Sequence, residues 1–309
     1  MFMKLIRNLT FLIFTISFIG CLEPVNILDD LAESKLVVNS YFTNDQPFHV
    51  RVSASRKFGN EEKNTYIDFA NVSIWLEGEL IEQLSYFPPD QFDTLPSYRS
   101  NGLRPEVGKE YEIRVTAEDF EPVSSTGSVP PPTKISNTSL EDDGGNQNTN
   151  NHIYLSMSID DPRDEENYYH ILLYQLKDEF AFDLDGKRDY ETRFYGPLKM
   201  YTFDPNAPVT FYINNRGALL SDRSFNGTTK KLSFRADLEK IRSNDDNAKI
   251  IVELRSITED YYDYFMSIKR QNDQSTNPLS EPVIDFTNIE NGFGLFTGFS
   301  VSRDTISLN

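Results

Sequence analysis

The sequence predicts a mainly β protein: two successive β-rich bodies, the first a sandwich, with one amphipathic helix late in the second. Three observations carry that expectation. Apolar residues alternate at period two in short stretches, which is the pattern of half-buried strands. Asn- and Gly-rich turns such as Gly59-Asn60 and Asn101-Gly102 separate those stretches. Aromatic residues make up 13% of 309 residues, with 16 Tyr and 23 Phe, which is too rich for a disordered polymer and enough for substantial cores.

The first element is an address rather than a strand. Lys4 and Arg7 form a basic head, Leu9 to Ile19 a short apolar run, and Gly20-Cys21 a small residue followed by the only cysteine of the chain. The run is shorter than the about 20 helical residues needed to cross a bilayer. It has the length of a signal h-region. This order predicts a lipoprotein signal peptide over residues 1–20, with Cys21 as the acylated first residue of the mature chain. A lone thiol in a secreted protein is otherwise unusual. Phe18 and Ile19 stand where a lipobox more often has Leu and then Ala or Ser, and such relaxed lipoboxes are similar to those of Bacteroidota. An acyl chain holds with ~0.8 kcal/mol per buried methylene, so the several chains of a bacterial lipoprotein make a lasting anchor.

Residues 21–34 read as a tether, acidic and broken by Pro24. The first body is expected over 35–130. Phe48, Val50, Val52 and Ala54 alternate with His49, Arg51 and Ser53; Val72, Ile74 and Leu76 with Ser73 and Trp75; Tyr111, Ile113, Val115 and Ala117 with Glu112, Arg114 and Thr116. Gly108-Lys109-Glu110-Tyr111-Glu112-Ile113-Arg114-Val115 resembles the late strand of immunoglobulin-like modules, so an immunoglobulin-like sandwich is the specific expectation. Pro130-Pro131-Pro132 marks a semi-rigid boundary, because proline cannot donate to a sheet ladder.

The second body, sandwich-like, is expected over 131–309. Ile153, Leu155, Met157 and Ile159 alternate with polar residues, and Ile250, Val252 and Leu254 make another strand. Tyr168 to Leu176 is almost continuously apolar, as a central strand covered on both faces would be. One helix is expected near 257–271. Ser256 and Glu259 have capping-box spacing. Ile257, Tyr261, Phe265 and Ile268 form an apolar stripe opposite Asp260, Asp263, Ser267 and Arg270.

Composition excludes some functions. The net charge is −18, and residues 1–20 hold two basic residues and no acid, so the mature chain carries −20. That charge repels phosphate backbones and anionic headgroups, so no nucleic-acid partner is expected. His49, His152 and His170 share no metal-ligand spacing. No nucleophile elbow or zinc-protease motif occurs, so no catalytic residue is assigned and the protein is not expected to be an enzyme. No cofactor is expected. Asp183, Asp185 and Asp189, around Gly186, are the calcium candidate, although their spacing departs from the EF-hand loop and Asp-Gly is also a hairpin turn. Gly292, Gly294 and Gly298 miss dinucleotide spacing and read as close-packing points in a late strand. Asp93-Thr94-Leu95 and Asp304-Thr305-Ile306 match a short acceptor pattern for periplasmic O-glycosylation at Thr94 and Thr305. The long loop from Phe87 to Arg104, aromatic and proline-punctuated, is the expected partner contact, with Phe92 and Tyr98 as its contact residues.

Several blocks carry a family resemblance. They are Leu36-Val37-Val38-Asn39, Glu166-Asn167-Tyr168-Tyr169, Phe225-Asn226-Gly227, Tyr261-Tyr262-Tyr264, Asn277-Pro278-Leu279-Ser280-Glu281-Pro282-Val283, and Thr287-Asn288-Ile289-Glu290-Asn291-Gly292-Phe293-Gly294-Leu295-Phe296. In order and over the mature chain they resemble the Bacteroidota lipoprotein family catalogued as domain of unknown function 4249. The resemblance implies an outer-membrane lipoprotein associated with a TonB-dependent receptor and implies no catalytic residues. The function expected is therefore a non-catalytic accessory to a TonB-dependent transporter. A cell-surface adhesion or structural module is the alternative, and a carboxylate-dependent hydrolase ranks last.

Overall fold

The computed structural model describes residues 34–55, 65–91, 93–141, 152–163, 165–182, 188–202, 204–211, 214–238, 248–274 and 286–308. It is mainly β, with mixed sheets and one helix of regular length. The first body has two layers. One contains β1 (Leu36–Phe42), β2 (His49–Ala54), β5 (Ser85–Phe87) and β6 (Ser97–Arg99). The other runs in the order β4 (Glu79–Gln83), β3 (Asn71–Leu76), β7 (Glu110–Thr116) and β8 (Val123–Ser128). The alternation predicted from sequence is what closes them. Val38, Phe48, Val50 and Val52 point in from one layer, and Val72, Ile74, Ile113 and Val115 from the other, all buried in one core.

The first layer is completed from the far end of the chain. β18 (Phe293–Ser307) lies parallel to β1, with Val37 opposite Phe293 and Phe42 opposite Gly298. Leu295 and Phe296 are fully buried, and the Phe296 ring sits 4.7 Å from Phe42. The glycines of this segment serve close approach. A Cβ on Gly294, whose φ is +109°, would lie 2.1 Å from the Val38 carbonyl oxygen, and one on Gly298 would lie 2.5 Å from that of Ser128. The Asn288 side chain reinforces the join. Its Oδ1 accepts the Phe296 N–H at 3.0 Å, and its Nδ2 donates to the Phe296 carbonyl at 2.9 Å and to Asp260 Oδ2 at 2.9 Å.

The second half of β18 belongs to the second body. It pairs antiparallel with β17 (Lys249–Ile257), which pairs with β11 (Tyr168–Phe182). The other edge of β11 is shared between β15 (Ala218–Ser221) and β12 (Arg188–Tyr195), and β14 (Thr210–Phe211) ends the row. Together these strands and those of the first layer make one ten-stranded sheet. Against it packs a four-stranded sheet in the order β13 (Met200–Tyr201), β16 (Thr229–Asp237), β10 (His152–Asp160) and β9 (Lys134–Glu141). Leu155, Met157, Leu232 and Phe234 meet Tyr169, Ile171, Val252 and Leu254 in the core between them.

On β11 the opposite face, with Tyr168 and His170, looks toward α1 (Glu259–Gln274). The central strand is thus covered on both sides, as its unbroken apolar character requires. Helix α1 begins differently from the expected capping box. Its cap is Thr258, whose Oγ1 accepts the Tyr261 N–H at 3.2 Å. Ser256 stays in β17, where its hydroxyl accepts the Thr133 N–H at 2.9 Å. Ser267, expected on the polar face, is fully buried; it donates to Tyr264 O at 2.7 Å and accepts the Phe286 N–H at 3.2 Å. The helix is therefore covered on part of its polar side by the returning chain. Among the described residues no helix is long and apolar enough to cross a membrane.

Candidate functional site

The loop expected to make partner contacts is built around one carboxylate. Asp93 Oδ1 accepts from Arg51 Nη2 at 3.1 Å and from the Leu95 N–H at 3.3 Å; Oδ2 accepts from Arg99 Nη2 at 2.8 Å and faces His49 Nε2 at 3.1 Å. Period-two alternation explains why the two β2 residues reach it. His49 and Arg51 share the face opposite the buried Val50 and Val52. The Asp93 N–H in turn donates to Asp90 Oδ1 at 2.7 Å. Partial burial alone pushes the Asp93 pKa up, but hydrogen bonds from His49, from Leu95 N–H and from Arg51, with the Arg51 charge, outweigh it and hold the group at about 2. Burial lowers the His49 pKa, its bond to Asp93 raises it, and the two guanidiniums lower it again; the net direction is down. His49 is therefore neutral at pH 7, and its Nε2–H donates to the carboxylate.

This arrangement pins the loop to β2 and β6 and leaves Thr94 exposed. Tyr98 corrects the expected contact set. Its ring is only 2% exposed, its hydroxyl donates to Ile67 O at 2.9 Å, and the Ala70 N–H donates to it at 2.9 Å. It is a core residue of the first body, so a partner on the loop surface does not reach it. Phe92 lies outside the described residues.

The second body brings two carboxylates together beneath its 160–168 and 221–229 turns. Asp161 accepts from the Tyr169 hydroxyl and, through Oδ2, from the Gly227 N–H at 2.7 Å. Asp222 Oδ2 accepts from the Asn167 N–H at 2.9 Å and from Asn167 Nδ2 at 3.2 Å. Burial raises the Asp222 pKa; the Asn167 bonds oppose it, and the nearby charges of Asp161 and Glu166 add to it. Asn226 Nδ2 reaches Glu165 O at 2.8 Å, and Arg223 Nε reaches Glu166 Oε1 at 2.6 Å. These carboxylates, at 8% and 0% exposure, terminate main-chain donors under two turns. One oxygen of each carboxylate takes an amide of the protein, the other Asp161 oxygen takes the Tyr169 hydroxyl, and Asp222 Oδ1 is buried without a hydrogen-bond partner among the described residues.

His170 is buried against α1, its Nδ1 3.0 Å from the Tyr261 hydroxyl, and burial with the Arg255 charge holds its pKa well below the usual value. Among the described residues no group of three or more His, Cys, Asp or Glu is placed to hold a metal ion. Asp183 and Asp185 lie outside the described residues, as does the Asp189 side chain, and so does Cys21. Thr305 is exposed on β18, opposite Ile251. A partly open pocket of about 270 Å³ lies between β1, β18 and α1, walled by Val37, Phe293, Tyr264 and Ile268 with Gln271 and Thr287.

Sequence reasoning missed Asp93. Its partners on β2 precede it by 42 and 44 positions, and nothing local links them. The only sequence signal was that His49 and Arg51 share one face.

No curated protein matches the chain. Solved structures with partial similarity include a chain from the structure of manganese lipoxygenase of Gaeumannomyces graminis and zonadhesin of Komagataella pastoris. It is 11% identical, covers 73% of this chain and 89% of its own, and has a TM-score of 0.20. Another is collagen adhesin from S. aureus, 7% identical over 89% of this chain and 94% of its own, with a TM-score of 0.22. Scores this low carry no argument about fold or function. The family model described as "Domain of unknown function (DUF4249)" matches residues 23–305, nearly the whole body behind Cys21, and the chain belongs to that family.

Proposed function

We propose that the protein is a non-catalytic lipoprotein of the outer membrane, an accessory that assists a TonB-dependent transporter in capturing or handling its substrate. The observation that carries the reading is the junction at Cys21. A basic head, a short apolar run and Gly20-Cys21 stand directly before the family's body, which begins at residue 23. An anchored body of β layers with pinned surface loops suits contact rather than turnover. In this reading the first body is an immunoglobulin-like module, and Thr94 and Thr305, both exposed, are acceptors for envelope O-glycosylation. The Asp161 and Asp222 carboxylates, engaged by main-chain donors, serve the fold.

The test is purification from the native envelope. The mature protein should be acylated at Cys21, and Cys21→Ser should release it from the membrane fraction. A TonB-dependent receptor should co-purify with it, and cells lacking the protein should take up that receptor's substrate poorly. An unmodified N-terminus elsewhere removes the anchor. A native envelope preparation with no receptor partner removes the transport role.

A further inference from the structure

Among the described residues, the first body is open along one side. β4 ends the four-stranded sheet and β5 ends the ten-stranded one. The chain passes between them through Leu84 alone, which turns inward and donates its N–H to Val72 O at 2.9 Å. Both free edges therefore lie on the same side of the module. All of β5 is exposed, and so is every residue of β4 except the half-buried Glu82. Leu80 is 53% exposed and Ile81 41%. A bulge sets this pair: Ile74 opposes Glu82 and Trp75 opposes Leu80, so Ile81 is the extra residue. Tyr86 and Phe87 continue the apolar surface.

Free edges in folded proteins are normally guarded by lysine, proline, irregular backbone or cover. The edge strand β9 has such guards: it begins at Lys134, and its register shifts beside Asn137, whose φ is +52°. β4 has neither lysine nor proline, and its own irregularity, the bulge at Ile81, leaves its apolar pair facing outward. Its charge is one-sided. From Glu77 to Tyr98 the sequence contains Glu77, Glu79, Glu82, Asp90 and Asp93 and no basic residue. Asp93 is taken up by His49, Arg51 and Arg99. Glu79 and Glu82 bracket Leu80-Ile81 within the strand, with Glu82 Oε1 accepting the Asn101 N–H, and Glu77 leads into it.

A second copy on this edge would set carboxylate against carboxylate, on chains that each carry −18. A segment with basic residues satisfies the same edge. We infer that β4 receives an extended segment of a partner protein in which apolar residues alternate with lysine or arginine. That segment adds as a fifth strand to the four-stranded sheet, its main chain bonding the free edge, its apolar side chains covering Leu80 and Ile81, and its cations meeting the exposed Glu79. The inference rests on the edge itself and does not depend on the partner being a membrane receptor.

Trp75, the only tryptophan, lies directly opposite Leu80 and reports on this edge. The full chain is titrated with a nine-residue, end-blocked peptide alternating lysine with valine, and with the same peptide bearing glutamate for lysine. The lysine peptide should give a saturable change in Trp75 fluorescence and slow amide exchange at residues 79–83, and the glutamate peptide should bind at least tenfold more weakly. Leu80→Lys and Ile81→Lys, at exposed positions, should each abolish binding with the melting temperature unchanged. Equal binding of the two peptides, binding that survives both lysine variants, or no protection at 79–83 overturns the inference. So does a concentration-dependent dimer in sedimentation that Ile81→Lys dissolves, because it puts a second copy on the edge.

Discussion

Asp93 shows how much one side chain does for a loop. Four donors converge on a carboxylate that is still partly open to solvent, and the loop between Pro88 and Ser97 takes its course from that convergence. The group's pKa is about 2 in the folded protein, below the ordinary 3.8, so the unfolded chain takes up its proton first as pH falls. The contribution is complete above about pH 4 and is lost as pH drops through about 2. A carboxyl titration by NMR should find this midpoint near 2. Asp93→Asn, which keeps one acceptor but removes the charge, should speed amide exchange at Leu95 while the core strands keep their protection. An Asp93 midpoint near 4 would mean that the clasp does not form in solution. Little of this could be read from sequence. The alternation of β2 placed His49 and Arg51 on one face, but no pattern says which of 48 acidic residues meets them. Tyr98 failed for a related reason. A tyrosine in a polar loop looks available until the fold supplies Ile67 O and the Ala70 N–H for its hydroxyl.

Elements were far more legible than contacts. The strands around Val50, Ile74, Ile113, Leu155 and Val252 lie where period two puts them, because one buried face per strand leaves that mark directly in the sequence. Helix α1 was placed to within a few residues, but its cap moved to Thr258 because Ser256 had a tertiary partner in Thr133. Four of the family blocks meet in two pairs, while Asn277–Val283 lies outside the described residues. Leu36–Asn39 pairs with Phe293–Leu295, and Glu166–Tyr169 packs with the turn containing Phe225–Gly227. Such pairing is long-range, and a local pattern cannot carry it. The first pair can be tested. Phe296→Ala should cost roughly 3–5 kcal/mol, as for a buried aromatic. Gly294→Ala, with a Cβ driven onto Val38 O and a positive φ, should be about as damaging despite adding a single methyl. Denaturant midpoints measure both. A near-neutral Gly294→Ala would show that β1 and β18 lie further apart than described.

At the scale of the molecule, β18 gives Phe296 to the first core, while Phe299 joins the cluster under α1 and Ile306 packs on the second core. A strand shared in this way couples the two bodies. The proline run at 130–132 marks a semi-rigid boundary, and the β1–β18 ladder carries one sheet across both bodies. The expected outcome is a single thermal transition whose calorimetric and van't Hoff enthalpies agree. Residues 35–130 produced alone, lacking the neighbour of β1, should show no cooperative melting. Two resolved transitions, or a stable 35–130 fragment, would show that the bodies stand alone.

The same ladder constrains how the protein comes into being. Val37 waits for Phe293, which a ribosome or a translocation pore delivers roughly 250 residues later, and contacts of such long separation close slowly. Until then β1 has β2 on one side and a bare edge on the other, and Phe42 and Phe48 lack the Phe296 ring that seals them. The N-terminal half must therefore wait unfinished while the rest of the chain is delivered. Its vulnerable interval, to proteases and to aggregation, lasts as long as delivery does.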